Sequence, residues 1–310
     1  MSDLVFRSAS QLAKAIRERS VSATEVLEAH LGQIARHNPA LKAIVTLNQE
    51  QARQQAHQAD VAVAQGELWG PLHGVPFTVK DLFDTAGVRT TWSYKPLANY
   101  IPLQNATTVD RLLGAGAILL GKTNMPELAR GPQCDSPLFG RANNPWNLAC
   151  TPGGSTGGGA AAVAAGLSPL DVGSDLGGSI RLPAHFCGVF GFKPTEYRVS
   201  TAGASRELKI AGRLQTMRVA GPLARSIEDL QLCLSLLEGP DGRQWSVPPV
   251  VLEPLRERPL QEYRFAWTDN LGDVPVTAET QAAVKKLAIT LEQMGCHVER
   301  CTPPGFNFME

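Results

Sequence analysis

Two glycine-flanked serines bracket a run of alanines in this chain. Thr151-Pro-Gly-Gly-Ser155-Thr-Gly-Gly-Gly159 leads into an Ala-rich stretch, and Gly173-Ser-Asp-Leu-Gly177-Gly178-Ser179-Ile-Arg181 follows it. Glycine lacks a Cβ, so it permits positive φ and lets backbone N–H groups approach a ligand closely. Successive N–H groups in such a turn form an anion-binding concavity, which is what a tetrahedral oxyanion requires. One donor of this kind is worth roughly 3–4 kcal/mol of barrier in other hydrolases. The same glycines also suit plain tight turns, and the rest of the sequence decides between the two readings.

The surroundings predict an α/β fold, a mixed twisted sheet covered by helices. The first 65 residues read as helical packaging. Ser22-Ala-Thr-Glu25 is a capping-box pattern before Val26, Leu27, Leu31 and Ile34, and Asn38-Pro39 is expected to close that helix. A polar, Gln- and Ala-rich segment over 48–65 reads as a surface helix. From Gly74 onward, short apolar runs (75–79, 117–120, 170–172 and 189–192) alternate with helical stretches and Gly/Pro punctuation. Residues 158–167 read as a helix, and another opens at Ser226 and stops near Gly239. Residues 197–221 read as loop; a strand (263–267), a helix (277–294) and a strand (297–301) end the pattern. One domain over 1–310 is expected. The closing Pro303-Pro-Gly-Phe-Asn-Phe-Met-Glu310 reads as a chain cut short.

Composition narrows the function. Acidic and basic residues number 29 each, for a net charge of zero, so no summed field draws in nucleic acid or an anionic membrane. Six cysteines are scattered without a C-x-x-C or zinc-ligand spacing, which suits free thiols in a reducing compartment. With no run of 18 apolar residues and no leader-like N-terminus, a cytoplasmic protein with a small-molecule ligand is expected.

The glycine-rich segment, taken with other stretches, resembles the amidase signature family. The matching pieces are Gly74-Val-Pro-Phe-Thr-Val-Lys80-Asp81, Gly121-Lys-Thr-Asn-Met125, Asn144-Pro-Trp-Asn147, the two serine segments, Phe186-Cys-Gly-Val-Phe-Gly-Phe-Lys-Pro194 and Gly221-Pro-Leu-Ala-Arg-Ser-Ile-Glu-Asp229. They stand in the family's order and spacing over about residues 5–308, most densely between 74 and 194. The resemblance implies a Ser-Ser-Lys triad for amide hydrolysis, with Ser179 as nucleophile, Ser155 as a bridging serine after a cis peptide, and Lys80 as base. It implies an oxyanion hole from the N–H groups of Leu176, Gly177, Gly178 and Ser179, and supporting roles for Thr156, Ser174, Asp175 and Arg181. Thr156 stands where relatives usually have a second serine, and Cys150 where a basic residue is usual. No metal or organic cofactor is implied; the expected partner is a small-molecule amide, and a homodimer is compatible with the family.

Chemistry agrees with these assignments. An ordinary lysine is neutral only about 0.04% of the time at pH 7, a deficit of roughly 4.6 kcal/mol, so a lysine base must be taken out of water. Lys80 ends an apolar run, which suits burial. Once neutral, it takes a proton from Ser155 as Ser155 takes one from Ser179, with no histidine required. His73 and His185 are accordingly read as structural. Trp92 and Met125 are candidate pocket residues, although each taken singly suits a core better.

Other readings compete. Gly116-Ala-Ile-Leu-Leu-Gly-Lys122-Thr123 satisfies a phosphate-loop pattern, but its middle is a strand-like apolar run. Gly153-Gly-Ser155-Thr-Gly157 satisfies a nucleophile-elbow pattern, which requires a strand just before it and a histidine such as His297. An amidotransferase component that works with partners, or an inactive shortened chain, would keep the same motifs.

Overall fold

The computed structural model describes residues 4–204, 217–250, 258–269, 271–272, 274–302 and 305. The chain divides into two compact units, 1–250 and 251–310.

The first unit begins with two capped helices. In α1 (Ala9–Arg17) and α2 (Ala23–Leu41), Ser8 and Ser22 each accept from the backbone N–H three residues on, while Gln11 and Glu25 reach back to the cap. Distant carboxylates reinforce both ends. Asp229 accepts from the N–H groups of Ala9 (2.7 Å) and Ser10 (2.8 Å), and Asp60 from those of Ala23 (2.6 Å) and Thr24 (3.1 Å). A negative charge there answers both the unpaired N–H groups and the helix dipole. Helix α2 continues through Pro39, and Lys42, in the left-handed region, ends it. The expected stop at Asn38-Pro39 is thus three residues early, because the Asn38 side chain works beyond the helix, accepting from the N–H groups of Ala43 and Ile44.

A strand then appears where only helix was expected, β1 (Ile44–Leu47). Helix α3 (Gln49–Ala64) follows and buries Ala52, Ala56, Ala59 and Ala62, a stripe of small side chains on an otherwise polar helix. The expected α/β alternation follows: β2 (Pro76–Lys80), α4 (Thr107–Gly114), β3 (Ile118–Thr123), a small hairpin of β4 (Asp135–Ser136) and β5 (Gly140–Arg141), α5 (Gly157–Ala164), β6 (Leu170–Asp175), α6 (Arg181–Cys187), β7 (Phe190–Gly191), β8 (Val219–Ala224) and α7 (Ile227–Leu237).

The main sheet has the order β1-β3-β2-β6-β8-β7. Strand β2 is parallel to β3 and β6, whereas β1, β8 and β7 join antiparallel, so the sheet is mixed. The loop expected over 197–221 is corrected at its end, since β8 pairs with all of β6 from Leu170↔Ala224 to Asp175↔Val219. Gly221-Pro222 disguised this strand. A side chain at Gly221 would collide with Phe192 O and Pro194, so the glycine reflects close backbone approach and not a turn. The part of the expected loop over 205–216 lies outside the described residues, as does most of the 303–310 tail.

Helix α5 packs on the sheet with every residue from Gly157 to Val163 buried. Its three leading glycines are packing residues: a Cβ at Gly158 would lie 2.6 Å from both Ala43 O and Asn124 O, and one at Gly157 would lie 2.6 Å from the Cys134 Cβ. No helix among the described residues is long and apolar enough to cross a membrane.

The second unit contains β9 (Arg264–Trp267), α8 (Ala278–Gln293) and β10 (His297–Arg300), with β9 and β10 parallel in register from Arg264↔His297 to Trp267↔Arg300. This strand-helix-strand unit matches the sequence expectation to within two residues at each boundary.

Gly158→Ala is expected to destabilise the fold by about 2 kcal/mol, because the new methyl meets backbone atoms that cannot rotate away. Urea denaturation with an unchanged midpoint would contradict this close packing.

Candidate active site

Three chain segments converge at the C-terminal ends of β2 and β6. Lys80 is the last residue of β2, Ser174 and Asp175 end β6, and Ser155 with Thr156 leads into α5. The peptide bond between Gly154 and Ser155 is cis. The Thr156 N–H donates to the Ser179 carbonyl (3.0 Å), which ties the second serine segment to the first.

Lys80 is fully buried, and its Nζ lies 2.7 Å from Ser155 Oγ, 3.0 Å from Thr156 Oγ1 and 3.0 Å from Ser174 Oγ. No carboxylate forms an ion pair with it among the described residues. Burial lowers the amine from its ordinary 10.5 to about 7. All three partners are hydroxyls, which donate or accept as required. A neutral amine gives two N–H bonds and accepts one O–H, whereas an ammonium gives three, and the same cage satisfies both.

Asp175 organises the segment after β6. It is buried and accepts from the N–H groups of Gly178 (2.8 Å), Ile180 (3.0 Å) and Arg181 (3.3 Å), while Arg181 clasps it through Nε (3.1 Å) and Nη2 (2.9 Å). Burial raises this carboxyl, but the Arg181 guanidinium and these N–H donors outweigh it and hold it at about 2. The Gly178 N–H is therefore already committed to Asp175. The N–H groups of Leu176, Gly177 and Ser179 have no acceptor among the described residues, and Gly177 faces open space. Ser179 is half-buried, and its hydroxyl makes no hydrogen bond to Ser155 among the described residues.

The remaining candidates fall elsewhere. Met125 is fully buried and Trp92 nearly so, both within the core. His73 is buried between the Trp69 N–H and the Ala59 carbonyl. Lys122 of the phosphate-loop pattern is buried in β3, where Nζ donates to Phe83 O and Thr85 Oγ1 (2.8 Å), so no backbone cradle forms there. No strand lies between Ala142 and Ser155, and the elbow pattern lacks the element it requires.

The sequence reading passed over Asp171, in the middle of a run taken as apolar. This buried carboxyl accepts from Thr78 Oγ1 (2.8 Å) and Thr123 Oγ1 (3.2 Å), and burial raises it to about 7. Its other oxygen, which has no hydrogen-bond partner among the described residues, lies against Gly159, where a Cβ would collide with it. A charged residue between two strand-forming apolar neighbours was the available signal. No group of three His, Cys, Asp or Glu side chains that could hold a metal occurs among the described residues.

The Amidase family model matches residues 25–310, and the chain belongs to that family, the amidase signature enzymes. It is 38% identical over 312 aligned positions to an acylamidase of Rhodococcus erythropolis, covering 98% of this chain and 63% of that protein. It is 44% identical over 317 positions to a glutamyl-tRNA(Gln) amidotransferase subunit of Acidothermus cellulolyticus, covering 99% of this chain and 61% of that protein. Among solved structures it superposes on fatty acid amide hydrolase with a TM-score of 0.90 at 28% identity, covering 98% of this chain and 54% of that one. A bacterial aryl acylamidase gives 0.86 at 30% identity, covering 97% and 62%. The chain thus spans about three fifths of the length of the curated relatives it matches.

The depressed Lys80 value has a stability consequence whose sign is fixed. The unfolded chain binds this proton more tightly than the folded one, so the Lys80 contribution is lost as pH falls from about 10 to about 7. The stability difference between Lys80→Met and the parent protein should grow in favour of the variant across that window. Denaturation curves at pH 10 and pH 7 giving the same difference would contradict a neutral buried amine.

Proposed function

We propose that this chain hydrolyses a carboxylic amide through an acyl-enzyme, with Ser179 as nucleophile, Ser155 as proton bridge and Lys80 as base. The observation that carries this reading is the buried Lys80 amine 2.7 Å from Ser155 Oγ, within a cage of hydroxyls and without a carboxylate partner. Ser179 Oγ attacks the carbonyl carbon, its proton passes to Ser155, and the Ser155 proton passes to Lys80. The oxygen that gains charge is held by the free N–H groups of Leu176, Gly177 and Ser179; Gly178, already donating to Asp175, orders the turn instead. The proton returns through Ser155 to the leaving nitrogen as the C–N bond breaks, and water then releases the acid by the reverse relay. The Ser179 to Ser155 hydrogen bond completes the relay when substrate is bound, as catalytic contacts commonly tighten in the Michaelis complex.

The names of the relatives support amide hydrolysis, and those named as amidotransferase components support a second reading, in which ammonia freed from an amide is passed to a partner. Ammonia release by the chain alone favours the first reading, and release only with added partner proteins favours the second. All six cysteines are free thiols, consistent with a cytoplasmic setting.

Ser179→Ala is expected to abolish turnover, and Lys80→Ala to lower kcat/KM by at least about 10²-fold while the protein stays folded. Because the base acts when neutral, kcat/KM of the parent should fall about tenfold per unit below pH 7. An activated serine-reactive probe should label Ser179, and folded protein that remains unlabelled would overturn the assignment.

A further inference from the structure

Arg218 carries a charge that the amide-hydrolysis relay does not use. The β6–β8 ladder ends with Asp175 opposite Val219, so the next residues of the two strands are Leu176 and Arg218. Arg218 therefore enters beside the 176–179 turn. Its guanidinium lies 5.8 Å from the centre of the Trp92 ring and donates to the Ala204 carbonyl. It forms no ion pair with a carboxylate among the described residues. Trp92 is itself tied to the end of β2, its backbone N–H donating to the Asp81 carbonyl (3.0 Å), one residue past Lys80. The Trp92 indole, anchored in this way beside the end of β2, thus presents its face to the cation. Burial lowers Arg218 to about 10, and its charge is felt at Lys80, where it opposes protonation.

The sheet order suggests which part of a substrate meets this charge. Strand β6, which leads into the turn, lies between β2, with Lys80, and β8, with Arg218 before its first residue. The leaving nitrogen must face the Ser155–Lys80 pair that protonates it, so the acyl chain runs toward the β8 side. A guanidinium is a planar fork of five N–H donors, matched to a carboxylate in two parallel bonds. We propose that Arg218 determines specificity by binding a carboxylate on the acyl part of the substrate, so that preferred substrates are monoamides of short dicarboxylic acids.

This inference rests on the amidase reading, and its test separates the two. The probes are glutaric acid monoamide and pentanamide, equal in chain length and different in charge, assayed above pH 6. The parent chain should hydrolyse the carboxylate-bearing amide with at least tenfold higher kcat/KM, Arg218→Met should bring that ratio to about one, and Arg218→Lys should retain part of it. A parent ratio of one or less, or a ratio that Arg218→Met leaves unchanged while both rates fall together, would overturn the proposal and leave the amidase reading standing. A role confined to tuning Lys80 would instead shift the acid limb for both probes equally. Calorimetry on Ser179→Ala protein, which needs no turnover and no altered arginine, gives the second measurement. There the monoamide should bind at least tenfold more tightly than pentanamide, with an advantage that shrinks as salt is added; equal binding would overturn the proposal. Loss of hydrolysis of both amides with that binding preference intact would fault the catalytic reading and not the carboxylate site.

Discussion

An ammonium ion cannot be withdrawn from water unless it finds an opposite charge or gives up its proton. The Lys80 amine is offered three hydroxyls and no carboxylate, so the fold favours loss of the proton. Each surrounding element is bound to that choice. Strand β2 ends at the lysine, two of the hydroxyls lie just before α5, and β6 supplies the third before turning into the glycine-rich 176–179 segment. Because hydroxyls exchange donor and acceptor roles by rotating one O–H, a proton can move through this cage without displacing a heavy atom.

Glycine makes the convergence sterically feasible. The first turn of α5 sits so close to the sheet that side chains at Gly157, Gly158 and Gly159 would meet Cys134, backbone atoms of Asn124 and Ala43, and Asp171 in turn. The two serine segments are thereby brought within one hydrogen bond of each other, Thr156 N–H to Ser179 O. Carboxylates from distant parts of the chain hold the helices around this centre, with Asp229 and Asp60 at the starts of α1 and α2.

Much of this was legible because local chemistry and final structure agree. The Ser22–Glu25 pattern gave a true capping box, the apolar runs gave β2, β3 and β6, and Lys80 at the end of its run is buried as chemistry required. What was not legible depended on contacts between distant segments. Gly221-Pro222 reads as a turn until Phe192 is placed against it, and Ile44–Leu47 reads as part of a helical region until β3 pairs with it. The commitment of the Gly178 N–H to Asp175 is likewise a matter of loop geometry that residue types do not encode.

The contact between Gly159 and Asp171 has a consequence for how such a chain can change. The space that a side chain at 159 would fill is occupied by the carboxylate from 171, so neither position can vary independently. Enlarging the glycine alone forces the acid to move, and shortening the acid alone opens a void beneath α5 and frees the Thr78 and Thr123 hydroxyls. Evolution or a mutational library would therefore traverse this pair by joint replacement, and a screen that randomises one site at a time would mistake a correlated constraint for two separate invariant residues.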